Sequence, residues 1–125
     1  MTATGFAIAA GCDVVEIARL SAVIDRRDGF LDRVFTAREQ ADACRGGLES
    51  DDEVVRARLA ARFAAKEATR KALGDLRLPF HATEVRTAAS GAPELFLHGE
   101  RSGLTCSLSH DGGVAMAVVV GPRPA

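Results

Sequence analysis

Apolar positions change their period along this chain, and each change predicts an element. Phe6-Ala-Ile-Ala-Ala-Gly-Cys12 is a short apolar run and predicts a buried strand leading directly into Asp13. From about Val14 to Arg26 the apolar positions Ile17, Leu20, Val23 and Ile24 recur at helical spacing, so a helix is expected there. Thr36-Ala-Arg-Glu39 has the form of a capping box and predicts a second, shorter helix that fades by Gly46-Gly47. Ser50-Asp51-Asp52-Glu53 has the same form and opens a long helix, roughly Asp51 to Leu73, about 34 Å at 1.5 Å per residue. After the Pro79 loop, strand-like stretches lie near Thr83–Thr87, Glu94–His98, Thr105–Ser109 and Val114–Val120. His110-Asp111-Gly112-Gly113 is expected to make the tight turn of a hairpin between the last two. The order predicts an α+β fold, a mostly antiparallel sheet packed on one long helix, in a single domain spanning 1–125.

The long helix divides into sectors at about 100° per residue. Ala57, Ala61, Ala64, Ala68 and Ala72 form a stripe suited to close packing, and Gly74 supplies the left-handed residue that ends a helix. Arg58, Arg62, Lys66 and Arg70 follow at successive i+4 steps, a basic stripe whose self-repulsion calls for acidic neighbours or bound anions. Both a solvated face and an anion site fit that pattern. Glu67 and Lys71 stand four apart on the other border of the alanine face. A carboxylate and an ammonium so placed suit a metal–phosphate centre, and equally a stabilising surface pair.

Composition narrows the class. The chain has 125 residues and 13.1 kDa, 47% of them hydrophobic but only 5% aromatic, with neither Trp nor Tyr. The core must come from Ala, Val, Leu, Ile and six Phe, and oligomerisation is a natural supplement to a core this small. A net charge of −1 and a pI near 6.3 give no global case for nucleic acid. Cys12, Cys44 and Cys106 are odd in number and lack a Cys-x-x-Cys pair, so they read as small buried hydrophobes in a reducing compartment. The N-terminus lacks a basic start, and no apolar run approaches the ~20 residues that span a bilayer. A cytoplasmic protein, with no membrane partner, is expected.

Two further segments carry candidate chemistry. Asp13, within Gly11-Cys12-Asp13-Val14-Val15-Glu16, is placed either to hold a metal at a strand end or to cap the next helix. Ser107-Leu108-Ser109-His110-Asp111 brings a histidine to a hairpin turn, as a site residue or a surface polar group; Asp111 reads as turn-forming. Taken in order, these segments resemble a known family. Gly-x-Asp-hydrophobic-hydrophobic-Glu, then Arg62-Phe-Ala-Ala-Lys-Glu-Ala-Thr-Arg-Lys-Ala-Leu-Gly74, then Ser107-Leu-Ser-His110 before a terminal apolar strand are similar to the holo-acyl-carrier-protein synthases. These are the small, single-domain 4′-phosphopantetheinyl transferases. The likeness runs from about Gly11 to Val120.

The resemblance implies transfer of the phosphopantetheine arm from coenzyme A to a serine of an apo acyl or polyketide carrier protein, releasing adenosine 3′,5′-bisphosphate. It implies a Mg²⁺ cofactor, with Mn²⁺ as a substitute, held by Asp13 and Glu67, and Glu67 assisting deprotonation of the serine. Lys71 matches the lysine on the pyrophosphate, and His110 the histidine lining the coenzyme A site. Arg62, Lys66 and Gly74, from the same motif, are expected beside coenzyme A as well. Arg19 and Arg26 match basic positions that meet the acidic helix of the carrier protein. The family assembles as a homotrimer with sites between subunits. This chain departs from the family in following Gly74 with Asp75-Leu76 rather than Thr-Gly, and in having Gly91-Ala92-Pro93 for Gly-Lys-Pro. A catalytically lapsed relative that binds coenzyme A or a carrier protein is the alternative.

Overall fold

The first strand outruns its apolar segment. In the computed structural model, which describes residues 7–123, β1 spans Ile8–Glu16; Phe6, where the strand was expected to begin, lies outside the described residues. β1 pairs antiparallel with the last strand, β6 (Val114–Pro122), from Ile8 opposite Pro122 to Glu16 opposite Val114. That nine-residue ladder keeps the chain extended past Asp13, so helix α1 begins only at Ile17 and runs to Arg26. Asp13 is therefore a mid-strand residue and no helix cap; the cap position is Glu16, which makes no side-chain capping bond.

Two short elements escaped the periodicity reading: helix α2 (Phe30–Val34) and strand β4 (Glu100–Arg101). Each is too short to display a period. Helix α3 (Ala37–Ala43) starts with the expected box, Thr36 and Glu39 bonding each other's backbone N–H. The second expected box does not form. Asp52 alone caps helix α4 (Glu53–Leu73), accepting from the Val54 N–H at 2.8 Å, and Gly74 closes it at φ 66°.

A 3₁₀ turn (Phe80–Ala82) then leads to β2 (Thr83–Thr87), β3 (Pro93–Leu97) and β5 (Thr105–Asp111). The strands form two antiparallel sheets rather than one, ordered β1-β6-β5 and β2-β3-β4. Gly112 and Gly113 alone make the β5–β6 turn, both with positive φ, so His110 and Asp111 belong to the ladder, opposite Ala115 and Val114.

Helix α4 lies across β1 and β6 with its alanine stripe inward; Ala57, Ala61, Ala64, Ala68 and Ala72 are all buried. Gly11 makes the approach possible, since a Cβ there would stand 2.1 Å from the Ala68 carbonyl oxygen. The low aromatic content and this close layer are the same fact: small side chains let backbone meet backbone.

The basic stripe is not a solvated face. Lys66 is 1% exposed and pairs with Glu39, itself fully buried, at 2.8 Å. Its ammonium also donates to the carbonyls of Phe80 and Thr83. Glu39 meanwhile accepts from the Val85 N–H at 2.9 Å, so one ion pair ties α3, α4 and β2 together. Burial pushes the Lys66 pKa below its ordinary value, and Glu39 opposes the shift. Lys66→Met should cost about 3 kcal/mol, because it strands a buried carboxylate. Chemical unfolding would measure this; an unchanged midpoint would contradict it.

Of the cysteines, Cys106 is buried, and burial raises its thiol pKa to about 11. Cys12 is exposed, contrary to the expectation of a buried hydrophobe. It sits on an outward sheet face whose β1 and β6 positions are largely apolar: Ile8 and Val14 on β1, and Val114, Met116, Val118 and Val120 on β6, are each 37–62% exposed. Glu16 of β1 and Thr105, Ser109 and Asp111 of β5 give the same face a polar border. The alternation is that of strands whose two faces are both apolar, the pattern of a sheet covered on both sides.

Candidate active site

Asp13 and Glu67 reach the same cavity from different elements. Asp13 stands on β1 and Glu67 on α4, which crosses that strand; the cavity, about 430 Å³, is also lined by Arg19, Arg27, Phe30 and Phe63. Helical period explains Glu67: it lies between the buried Lys66 and Ala68, on the border of the packed face.

Each carboxylate is already matched by a cation from α4. Lys71 Nζ lies 3.0 Å from Asp13 Oδ1 and donates to the Cys12 carbonyl at 2.9 Å. The hydrogen bond to Asp13 raises the Lys71 pKa above its ordinary value. Glu67 Oε1 instead receives Arg70 Nη1 at 3.2 Å. The expected i,i+4 partnership of Glu67 with Lys71 is thus replaced by two separate pairs. Two hard oxygen donors in one cavity fit a Mg²⁺ ion, which takes one or two carboxylates and completes its shell with water and phosphate oxygens. Among the described residues no cluster of three or more His, Cys, Asp or Glu offers a denser ligand set.

A second cavity, about 370 Å³, lies elsewhere on the chain. His110 and Ser109 of β5 line it with Arg45, Arg58, Arg62 and Thr87. Arg62 is 4% exposed; it donates to Thr87 Oγ1 at 3.0 Å and to the Arg58 carbonyl at 3.2 Å, while its Nε is buried without a protein partner. Burial lowers its pKa against the opposing pull of Asp42 and Glu39. Three guanidinium groups around a histidine make a site for an anion. Arg45 was not singled out from the sequence, and no local pattern marks it; the fold brings it to Arg58 across 13 residues, where the Arg45 carbonyl accepts from Arg58 Nη1.

The remaining expected residues are placed as follows. Lys66 leaves the set: its ammonium already serves Glu39 and the carbonyls of Phe80 and Thr83, so it has no free donor for coenzyme A. Gly74 caps α4 at the surface, three residues beyond Lys71. Arg19 lines the Asp13–Glu67 cavity, but Arg26 does not, and the neighbouring Arg27 takes the second basic position there. Asp111 is exposed at the end of β5.

Comparison with known proteins identifies the family and the fold. A model of the 4′-phosphopantetheinyl transferase superfamily matches residues 9–119. A holo-[acyl-carrier-protein] synthase of Frankia casuarinae is 42% identical over 123 residues, covering 90% of this chain and 95% of that protein. One from Chlorobaculum parvum is 43% identical over 117 residues, covering 87% and 95%. Among solved structures, the ACPS-CoA complex of Chronobacterium ammoniagenes superposes with a TM-score of 0.77 at 26% identity, over 95% of this chain and 99% of that one. The Bacillus anthracis holo-(acyl-carrier-protein) synthase in complex with CoA (3′,5′-ADP) gives 0.76 at 30% identity, over 94% and 100%.

Proposed function

The chain belongs to the 4′-phosphopantetheinyl transferase superfamily, and from that membership we infer that it is a holo-[acyl-carrier-protein] synthase. It transfers the 4′-phosphopantetheine arm of coenzyme A to a serine of an apo acyl carrier protein, releasing adenosine 3′,5′-bisphosphate. The observation that carries the reading is the meeting of Asp13 and Glu67 in one cavity, with Lys71 against Asp13. Incubating the chain with apo carrier protein, coenzyme A and Mg²⁺ should add the mass of phosphopantetheine to the carrier. A carrier of unchanged mass would leave only the lapsed, binding relative.

Hydroxyl attack on a phosphoanhydride is limited by charge and positioning. Asp13 and Glu67 would supply carboxylate oxygens to a Mg²⁺ ion, which would contribute positive charge opposite the pyrophosphate. Glu67 stands at the cavity to take the serine proton. Lys71 is half-exposed on a flexible stem, so it can turn from Asp13 toward the leaving phosphate as a compact positive charge. Lys71→Met should therefore lower turnover by about tenfold or more while leaving metal affinity close to normal. Lost affinity with intact turnover at saturating metal would refute that role.

Coenzyme A is drawn to the cavity of His110, Arg45, Arg58 and Arg62, whose charges compensate for the lysine missing at Ala92. In one chain that cavity and the Asp13–Glu67 cavity share no lining residue. A homotrimer with sites between subunits, built on the apolar outward face of β1 and β6, joins the two. No helix among the described residues is long and apolar enough to cross a membrane.

Arg19, at the Asp13–Glu67 cavity, and Arg26, outside it at the end of α1, lie seven apart on one helix and are the positions assigned to the acidic carrier. Reversing both to Glu should raise the KM for the carrier and leave that for coenzyme A nearly unchanged. The effect should shrink with salt, because exposed charges are screened over about 8–10 Å. Equal loss for both substrates would place the carrier elsewhere.

A further inference from the structure

Of the two cations that hold the site's carboxylates, one is free to leave and the other is not. Lys71 is half-exposed and contacts only oxygens at the cavity edge, Asp13 Oδ1 and the Cys12 carbonyl. Arg70 is fixed on three sides. Its Nε donates to the Leu78 carbonyl at 2.8 Å, its guanidinium carbon lies 3.8 Å from the centre of the Phe80 ring, and its Nη1 reaches Glu67 Oε1 at 3.2 Å. Phe80 is itself seated against Phe63, ring centres 5.6 Å apart, and Phe63 lines the cavity that Glu67 enters. The Arg70 side chain is 17% exposed, so water offers limited competition for these contacts.

We propose that Arg70 is a positioning residue for Glu67, clamping one carboxylate oxygen so that the other is presented to the reacting centre. The argument rests on the reading of Glu67 as a metal ligand and base. A stacked, forked guanidinium held by a backbone carbonyl has few alternative positions, and the carboxylate bound to it loses rotamer freedom in turn. Outer-shell partners of this kind orient a ligand and commonly account for about 10–100-fold in metal affinity or activity. A lysine at this position retains the charge but neither the stacking plane nor the second donor that anchors the group to Leu78. The stretch from Leu76 to Phe80, outside the recognition motif, acquires a function from this contact: its backbone and ring set the position of Arg70.

The test uses Arg70→Met and Arg70→Lys in the full chain. For each, kcat and both KM values, Mn²⁺ affinity by spin-resonance titration, and the thermal midpoint are compared with the unaltered protein. Both variants should lose about tenfold or more in kcat and in Mn²⁺ affinity. KM for coenzyme A and for the carrier should stay within about threefold, and the fold should persist at assay temperature. Full activity and Mn²⁺ affinity in Arg70→Lys would show that charge suffices and would overturn the positioning role. Unchanged kcat in Arg70→Met, or a loss matched by the unfolded fraction, would overturn it as well. Absence of transfer by the unaltered protein would instead strike the underlying reading of the site, a result separable from either of these.

Discussion

Asp13→Asn and Glu67→Gln are each expected to lower turnover by roughly a thousandfold with the fold intact, since a bound metal contributes several kcal/mol to stabilising charge in phosphoryl transfer. Each amide keeps the shape of the carboxylate but loses the charge that a hard dication requires. Neither position bears weight in the core. The Asp13 and Glu67 side chains face a cavity, and each amide keeps an oxygen that can still accept from Lys71 or Arg70. Circular dichroism should thus match the unaltered protein while the rate collapses. Mg²⁺ titration sharpens the experiment, because the variants should need far more metal to reach their own maximum. Either variant turning over near normally at limiting Mg²⁺ would remove Asp13 and Glu67 as a metal site.

Val118→Asp should abolish both assembly and activity, although Val118 lies far in character from any catalytic group. Val118 sits mid-strand on β6, opposite Cys12 of β1 and Ser107 of β5, at the centre of the exposed apolar face. A carboxylate there is harmless to the monomer, where it meets water. In a covered interface it is a buried, unpaired charge, which shifts association by several kcal/mol. Light scattering should report a species near 13 kDa for the variant and the proposed trimer for the unaltered protein. Activity should go with it, because the carboxylate cavity and the His110 cavity would no longer be juxtaposed. Complementation gives a second reading. Asp13→Asn and His110→Ala chains, co-assembled, should recover activity that neither has alone, since some shared sites then combine two intact halves. A fully active Val118→Asp monomer would dispose of the shared site.

Much of the site was legible in the sequence because it depends on local geometry. The order of Asp13, Glu67, Lys71 and His110 within their motifs carried the resemblance, and the 3.6-residue period put Glu67 on the edge of an alanine face without any tertiary information. Other expectations failed where two effects of similar size competed. Thr36 and Ser50 both head a capping-box sequence pattern, yet Ser50 is passed over because Asp52, nearer the helix, satisfies the Val54 N–H. Asp13 could be read as a strand-end ligand or a helix cap, and the full β1–β6 ladder makes it a mid-strand residue instead.

The sequence by itself determined what depends on neighbours along the chain: the α+β order of elements, the alanine face of α4, the glycine turn before β6, and the motif that marks the family. The tertiary structure alone decided the partners of charged side chains. Four bases at i+4 spacing are equivalent on a helical wheel, yet they divide three ways. Lys66 is buried against Glu39, Arg58 and Arg62 line the histidine cavity, and Arg70 is clamped between Phe80 and Glu67. The physical reason is that the free energy of a charge depends on the dielectric and the donors around it, which segments far apart in sequence supply. Glu39 comes from α3, Phe80 from the turn after α4, and Cys12 from β1; none is within ten residues of the cation it meets except Phe80, and no periodicity links them.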